Sequence, residues 1–308
     1  MNSPILKVKN LKRHYPGVKA VDGIDLSVEK GTCFSILGPN GAGKTTTVEI
    51  LAGLRYRDSG NIEYFGNNVN VIGRDIKRRI GVQLQSTNFL ENLSVVETID
   101  FFGGLFEKNI STNELITTVS LNEKKKNRVK ELSGGQLQRL AIAVALVNDP
   151  EIVFLDEPTT GLDPQARRML WQTIKKMKEN GKTIILTTHY MEEAEELSDK
   201  VVIIDHGKVI ASGTVRELIS SIEHDNIVEF SLSGTQSYRV VNLIEEKFSG
   251  VKLIEKMRYS ITTTDVEKTL IKLFDLAKEN KFTLNDIVIR KPNLEDVFLT
   301  LTGHSLRD

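Results

Sequence analysis

The stretch GPNGAGKTT, residues 38 to 46, constrains this chain more than any other. Three glycines, Gly38, Gly41 and Gly43, let the backbone curl so that amide hydrogens converge on one anion, and a Lys-Thr pair follows at once. Before the loop comes the strand-like TCFSIL (32 to 37); after it comes a helical pattern with Val48, Leu51, Ala52 and Leu54 on its buried face. A strand, a glycine loop and a helix N-terminus in this order make a phosphate cradle, because the amides and the helix dipole both attract an anion. Lys44 adds a point charge for the outer phosphates, and the Thr45 hydroxyl is the right ligand type for Mg²⁺. A glycine turn before an unrelated helix is the plain alternative, and it leaves Lys44 and Thr45 at this spacing unexplained.

Such a loop belongs in an α/β sheet, and the rest of the chain supplies one. Residues 5 to 37 read as short strands with turns, and the apolar runs IVFL (152 to 155), TIILT (183 to 187) and VVIID (201 to 205) have little alternation. Strands buried on both faces of a parallel sheet have this pattern. From about 86 to 150 the texture is helical, beginning with a capping-box pattern from Ser94 to Glu97. The basic run EKKKNRVK (123 to 130) within it lacks interleaved aromatics, so it reads as a solvated face rather than a nucleic-acid site. After about residue 222 strand and helix patterns alternate in a small α+β domain. The 308 residues thus divide into 1–222 and 223–308.

Phosphate chemistry with a metal needs an acid at the end of a neighbouring buried strand, and IVFLDE places Asp156 there to orient Mg²⁺. Glu157 follows as the group to polarise an attacking water, since a base must lie within hydrogen-bond reach of the nucleophile. His189 lies past the end of TIILTT, on the sheet edge where open α/β folds bind ligands, and an imidazole there can bond a terminal phosphate. A histidine that merely satisfies local structure is the alternative. Gln85, in VQLQST, is placed to contact Mg²⁺ or the water, with Gln83 as a rival two residues away.

Composition excludes some roles. Lys plus Arg and Asp plus Glu are both 41, so no global field gathers nucleic acid or acidic membrane. The single cysteine, Cys33, sits among apolar neighbours and reads as a small core residue in a reducing compartment. The longest apolar run, LAIAVALV (140 to 147), is far below the roughly 20 residues of a membrane span, so any span is expected from another chain.

GPNGAGKTT, a glutamine near 85, LSGGQ (132 to 136), IVFLDEPTTGLDP (152 to 164) and TTHYMEEAEELSDKVVIIDHGKVIASG (187 to 213) occur in this order. Over residues 5 to 220 the chain resembles the ATP-binding subunit of an ABC transporter, and it looks most like the bacterial drug- and antibiotic-efflux subfamily. PNLEDVFLTLTG (292 to 303) is similar to the ending many of those subunits carry. The resemblance implies a P-loop NTPase fold: a RecA-like α/β core with an antiparallel β subdomain and a helical subdomain, plus the small C-terminal α+β domain. It makes Gly38, Pro39, Asn40, Gly41, Ala42, Gly43, Lys44, Thr45 and Thr46 the Walker A loop around ATP, and Tyr15, in RHYPGVKAV, the aromatic that stacks on adenine. Gln85 becomes the Q-loop residue, and Asp156 and Glu157 the Walker B pair. Ser133, Gly134, Gly135 and Gln136 become the signature that acts in trans, Asp163 the D-loop aspartate and His189 the switch histidine. VQLQ departs from the pattern by lacking the proline that many relatives have before the glutamine.

The resemblance further implies two subunits, identical or similar, that sandwich two ATP molecules head to tail. They would drive separate membrane subunits from the cytoplasmic face, with Phe89, Leu90, Phe101, Phe102, Leu105 and Phe106 forming either a groove for the partner or, for most of them, plain core. A P-loop GTPase would need a base-reading N/T-K-x-D segment, which is absent. A soluble ABC-type ATPase acting on nucleic acid or ribosomes is the second reading; it usually carries coiled-coil insertions or a second cassette. The C-terminal domain is open to closure of the dimer, regulation, partner clamping or simple stabilisation.

ELSGGQLQRL (131 to 140) remains odd when read alone. Ser133 and Gln136 form a capping box, yet the two glycines between them cost roughly 1 kcal/mol each relative to alanine. The loss makes sense if something approaches the backbone closely, and the resemblance names it as the terminal phosphate held by the partner's Lys44 loop.

Overall fold

The computed structural model describes residues 3–85, 88–107, 109–222, 226–233, 237–248, 250–255 and 257–302. Two compact units emerge, one through Arg216 and one from Glu217 on. The expected boundary at 222 to 223 adjoins residues 223–225, and these, like Gly303 at the end of the PNLEDVFLTLTG motif, lie outside the described residues.

The first unit begins with β1 (Leu6–Tyr15) and β2 (Val18–Val28), then β3 (Cys33–Leu37) and α1 (Lys44–Leu51) on either side of the glycine loop. β4 (Ser59–Tyr64), β5 (Asn67–Val69), α2 (Arg74–Lys77) and β6 (Ile80–Gln83) follow. A helical stretch comprises α3 (Val95–Gly103), α4 (Thr112–Thr118) and α5 (Gly134–Ala145). The chain then alternates β7 (Ile152–Asp156), α6 (Pro164–Glu179), β8 (Thr183–Thr188), α7 (Met191–Leu197), β9 (Lys200–Asp205) and β10 (Lys208–Gly213). α3 starts where the sequence signals it: Ser94 and Glu97 form a reciprocal capping box.

Two sheets result. β2-β1-β4-β5 is antiparallel, while β10-β9-β3-β8-β7-β6 is parallel except for the β10 edge. The five residues of β3 and of β7, and all six of β8, are buried, as runs without alternation require. Register sets the site: Leu37 lies beside Thr188, Asp156 beside Thr187 and Gln83 beside Leu155. Four strand ends therefore reach one edge together, at the point where β3 is flanked by β8 on one side and β9 on the other. One core joins the antiparallel sheet to α1 and one side of the parallel sheet; a second joins α3, α4, α5 and α6 to its other side. Val48, Leu51 and Ala52 are in the first core, but Leu54 is exposed, because α1 ends at Leu51 and the chain has already turned.

In the second unit β11 (Asn226–Ser233), β12 (Val251–Glu255), β13 (Arg258–Thr263) and β14 (Thr283–Arg290) pair antiparallel in the order β12-β13-β11-β14. It also carries α9 (Ser237–Lys247), α10 (Val266–Asn280) and α11 (Leu294–Thr302), while α8 (Val215–Ser220) spans the point where the units divide. Phe230, Leu232, Ile244, Tyr259, Ile261 and Leu273 make its core. Glu229, 7% exposed, is held by Arg258 at 2.7 Å and Arg290 at 2.6 Å, and Arg290 also grips Asp296 of α11 at 2.7 and 3.0 Å. A buried carboxylate paired with two guanidiniums has the partners its burial demands.

Candidate functional site

The loop after β3 turns through Gly41 and Gly43, at φ 82° and 101°. Gly43 is required twice over, since a Cβ there would also stand 2.0 Å from the Ala20 carbonyl oxygen. Ala42 donates its N–H to the Pro39 carbonyl at 3.2 Å, closing the curl, and α1 begins with no acidic residue in its first turn. The positive end of the helix therefore faces the loop uncompensated. Asn40, Gly41, Gly43, Lys44, Thr45 and Thr46 line a cavity of about 530 Å³, together with Ala20, Gln85, Glu157, Thr160 and His189. Gly38, Pro39 and Ala42 shape the loop without lining the cavity.

Glu157 is the hub of this cavity. Its Oε1 lies 3.2 Å from Lys44 Nζ; its Oε2 accepts from Gln85 Nε2 at 3.4 Å and Thr160 Oγ1 at 3.2 Å, and lies 3.2 Å from His189 Nδ1. The residue itself sits at φ 47°, a left-handed conformation that costs a non-glycine residue energy and aims the carboxylate across the strand end. Thr187 fixes that turn, because its hydroxyl and carbonyl oxygens receive the Glu157 N–H at 3.0 and 3.2 Å. His189, and then Lys44, hold the Glu157 carboxyl down to about 2 against the opposing effect of burial. Lys44 also donates to the Gly38 and Pro39 carbonyls at 2.8 and 2.9 Å, and burial pulls its proton affinity down while Glu157 restores part of it.

Asp156 is 1% exposed, and burial raises its proton affinity while the Thr187 and Thr45 hydroxyls counter the rise. Thr45 Oγ1 is 3.2 Å from Oδ1, and Oδ2 is buried with no hydrogen-bond partner among the described residues. A hard oxygen left without a partner beside a hydroxyl is a donor set that suits Mg²⁺, which takes a few protein oxygens and keeps its waters. Gln83 is 2% exposed and its amide donates to the Leu84 carbonyl, so of the two glutamines it is Gln85, beyond the strand end, that reaches the cavity.

Ser133 to Gln136 lie apart from this cavity, at the start of α5. The Gln136 N–H donates to Ser133 Oγ at 3.4 Å and the Ser133 N–H to Gln136 Oε1 at 3.0 Å, the reciprocal box the sequence suggests. The glycine pair divides. A Cβ on Gly135 would stand 2.8 Å from the Ala166 Cβ of α6, whereas on Gly134 it would meet only Leu162 Cδ2 at 3.9 Å. Gly135 therefore has a reason within its own chain, whereas no described neighbour requires a glycine at 134. Asp163 caps α6 by accepting the Ala166 N–H at 2.9 Å. Tyr15 ends β1 outside the cavity lining, with Arg13 4.8 Å over its ring and its hydroxyl accepting from Arg55 at 2.7 Å.

Residues 21–160 match the sequence model of the ABC transporter family. The linearmycin resistance ATP-binding protein LnrL of Bacillus subtilis (strain 168) is 36% identical over 311 residues, 99% of this chain and 100% of that protein. This chain belongs to the ATP-binding subunits of ABC transporters. Nod factor export ATP-binding protein I of Ralstonia nicotianae (strain ATCC BAA-1114 / GMI1000) is 37% identical, covering 100% of this chain and 96% of that protein. Among solved structures, a bacterial ABC transporter cassette determined as a dimer matches with a TM-score of 0.61 at 27% identity, over 68% of this chain and 98% of that one. The family match lies within the first unit, and the enzymatic class of the chain is ATPase.

Within the cassette some residues escaped the sequence reading. Thr187 bonds both Asp156 and Glu157, and Thr160 bonds Glu157, but a threonine in a buried strand or a turn carries no distinguishing pattern. The six apolar residues after Gln85 split evenly: Phe89, Phe102 and Phe106 pack onto the helical core, while Leu90, Phe101 and Leu105 are exposed. A second cleft, of about 640 Å³, lies at the opposite, amino-terminal edge of the parallel strands. Its charges are spent on each other, Lys30 and Arg79 on Glu151, Lys182 on Asp149 and Arg78 on Glu107, so its size does not make it the ATP site.

Proposed function

We propose that this ATPase powers an exporter of drug-like, lipid or polysaccharide substrates, working on the cytoplasmic face of a membrane with spanning subunits carried on separate chains. The resistance and export names of its relatives support the direction. Among the described residues no helix is long and apolar enough to cross a membrane. Exposed Leu90, Phe101 and Leu105, on and near α3, form the apolar surface offered to a helix of the membrane subunit. Residues 223–308 serve as an accessory domain.

The convergence of Lys44, Gln85 and His189 on one glutamate carries the mechanistic reading. As the terminal phosphates of ATP enter, Lys44 and His189 exchange the Glu157 carboxylate for phosphate oxygens. Losing both contacts raises Glu157 from about 2 toward the ordinary carboxylate range, where it takes a proton from the attacking water more readily. Gln85 orients that water from the other side, and the Tyr15 ring receives the adenine. Thr45 and Asp156, with Gln85, would hold Mg²⁺, which when bound would neutralise charge developing on the phosphates. Two cassettes complete the site head to tail: Ser133 and Gly134 of one chain meet the terminal phosphate held by the Lys44 loop of the other, and Asp163 joins the same junction. The dimeric form of the solved relative supports the pairing of two cassettes.

Glu157→Gln tests it. ATP binding should persist while turnover falls by roughly 10²–10⁴-fold, the usual value of a positioned base, and the variant should accumulate as an ATP-bound dimer. Turnover at the wild-type rate would remove Glu157 from the base role.

A further inference from the structure

One ionisable group of the cassette has no task in this reading. Glu193, in the first turn of α7, is 0% exposed. Its Oε1 accepts a hydrogen bond from Trp171 Nε1 of α6 at 3.0 Å. Its Oε2 has no aligned partner among the described residues, although Thr188 and Thr159 flank the carboxyl and offset the effect of burial on its proton affinity. An acid taken wholly out of water is costly, and a leucine would fill the space more cheaply. The carboxyl is therefore retained for what it holds together.

Its neighbours come from three segments whose relative placement decides the site. Thr159 lies two residues after Glu157, and Thr188 directly precedes His189. Trp171 lies on the helix that Asp163 caps. The same helix reaches the His189 turn a second way: the Arg167 guanidinium lies 4.5 Å over the Tyr190 ring, which is 4.1 Å from the His189 ring. We propose that Glu193 is a positioning residue for hydrolysis: its carboxyl clasps Trp171 and fixes the turn that presents His189, so that a shift of α6 at its Asp163 end is felt by His189. The clasp rests on the reading of His189 as the group that meets the terminal phosphate. It makes α6 the lever by which engagement of a second chain near Asp163 reaches a phosphate bound in the first chain's own loop.

Trp171 is the only tryptophan in the chain, so its emission reports on the clasp without labelling. In the full chain, Glu193→Ala and Trp171→Phe should each lower kcat about tenfold, as misplacement of a catalytic group does, with KM for ATP within about twofold. Glu193→Gln, which keeps an acceptor for the indole N–H, should recover most of the rate. The tryptophan emission should change when ATP is added in a Glu157→Gln background and stop changing once Glu193→Ala is added. Trp171→Phe keeps a ring in the seat and so covers the case in which Glu193→Ala fails to fold. Unchanged kcat in folded Trp171→Phe, kcat and KM moving together, or a glutamine no better than alanine would each overturn the clasp. His189→Ala measured beside them separates the two ideas. Full activity in that variant sinks the phosphate role of His189, whereas an inactive His189→Ala beside fully active clasp variants sinks only the clasp.

Discussion

In the proposed reading the Lys44 cavity and the Ser133 helix start both meet an anion, and they are built on opposite plans. In the cavity the charged groups are spent on one another: Glu157 alone meets Lys44, His189, Gln85 and Thr160. In that reading phosphate enters by displacing those contacts, so binding and rearrangement are one event there. The Ser133 start is closed on itself through its capping box, has no acidic residue in its first turn and lines no part of the cavity. It has nothing to rearrange and needs only to be brought to its target. The proposed dimer thus joins, within each chain, a half that must change to a half that needs only to move as a body.

The largest effect expected from breaking this division is at Ser133. Ser133→Arg should leave the ATP affinity of the isolated chain within about twofold, since the cavity does not include it. Turnover should fall about 100-fold or more, the scale of losing an anion-hole donor, and the ATP-dependent dimer should vanish from gel filtration in a Glu157→Gln background. A dimer peak from Ser133→Arg would show that the helix start is not the second half of the site.

Gly135 offers a middle-sized test of whether that half is truly rigid. Gly135→Ala should destabilise the chain by about 1–3 kcal/mol through overpacking against Ala166, and Ala166→Gly should restore most of the loss, both read by urea denaturation. If Gly135→Ala is as stable as the parent, the α5 and α6 starts are not locked together, and the glycine serves an external group alone.

The smallest effect concerns the tied state of the cavity. Glu157 titrates below its ordinary 4.5 in the folded chain, at about 2, so its contribution to stability is complete above about 4.5 and disappears as pH falls toward 2. The stability advantage of the parent over Glu157→Gln in urea should therefore be larger at pH 7 than at pH 3. An advantage independent of pH would mean that Lys44 and His189 do not hold the carboxylate in the nucleotide-free chain.

Much of this was legible residue by residue. Gly41, Gly43, Lys44 and Thr45 carry their chemistry in their spacing, and Asp156 and Glu157 stand at the end of a run that only a buried strand explains. Leu54 is exposed against its helical period because the period says nothing about where the helix stops. The cost of two glycines in LSGGQ was visible, yet its cause at Gly135 was not, since Ala166 lies 31 residues further on. Glu193 sits in MEEAEEL among three other carboxylates, and nothing local distinguishes the buried one from its more exposed neighbours.

The sequence alone determined the α/β class, the phosphate loop and the self-capped helix start, because hydrophobic period, glycine freedom and capping act over a few neighbouring residues. Only the tertiary structure placed Gln85, and not Gln83, in the lining of the cavity. Both lie on the same face by strand alternation, and the end of β6 at Gln83 leaves Gln85 to turn into the cavity. It likewise made Glu157 the hub and tied Glu193 to Trp171, since those contacts join strand ends and helices that sequence keeps far apart and the register of a parallel sheet brings to one edge.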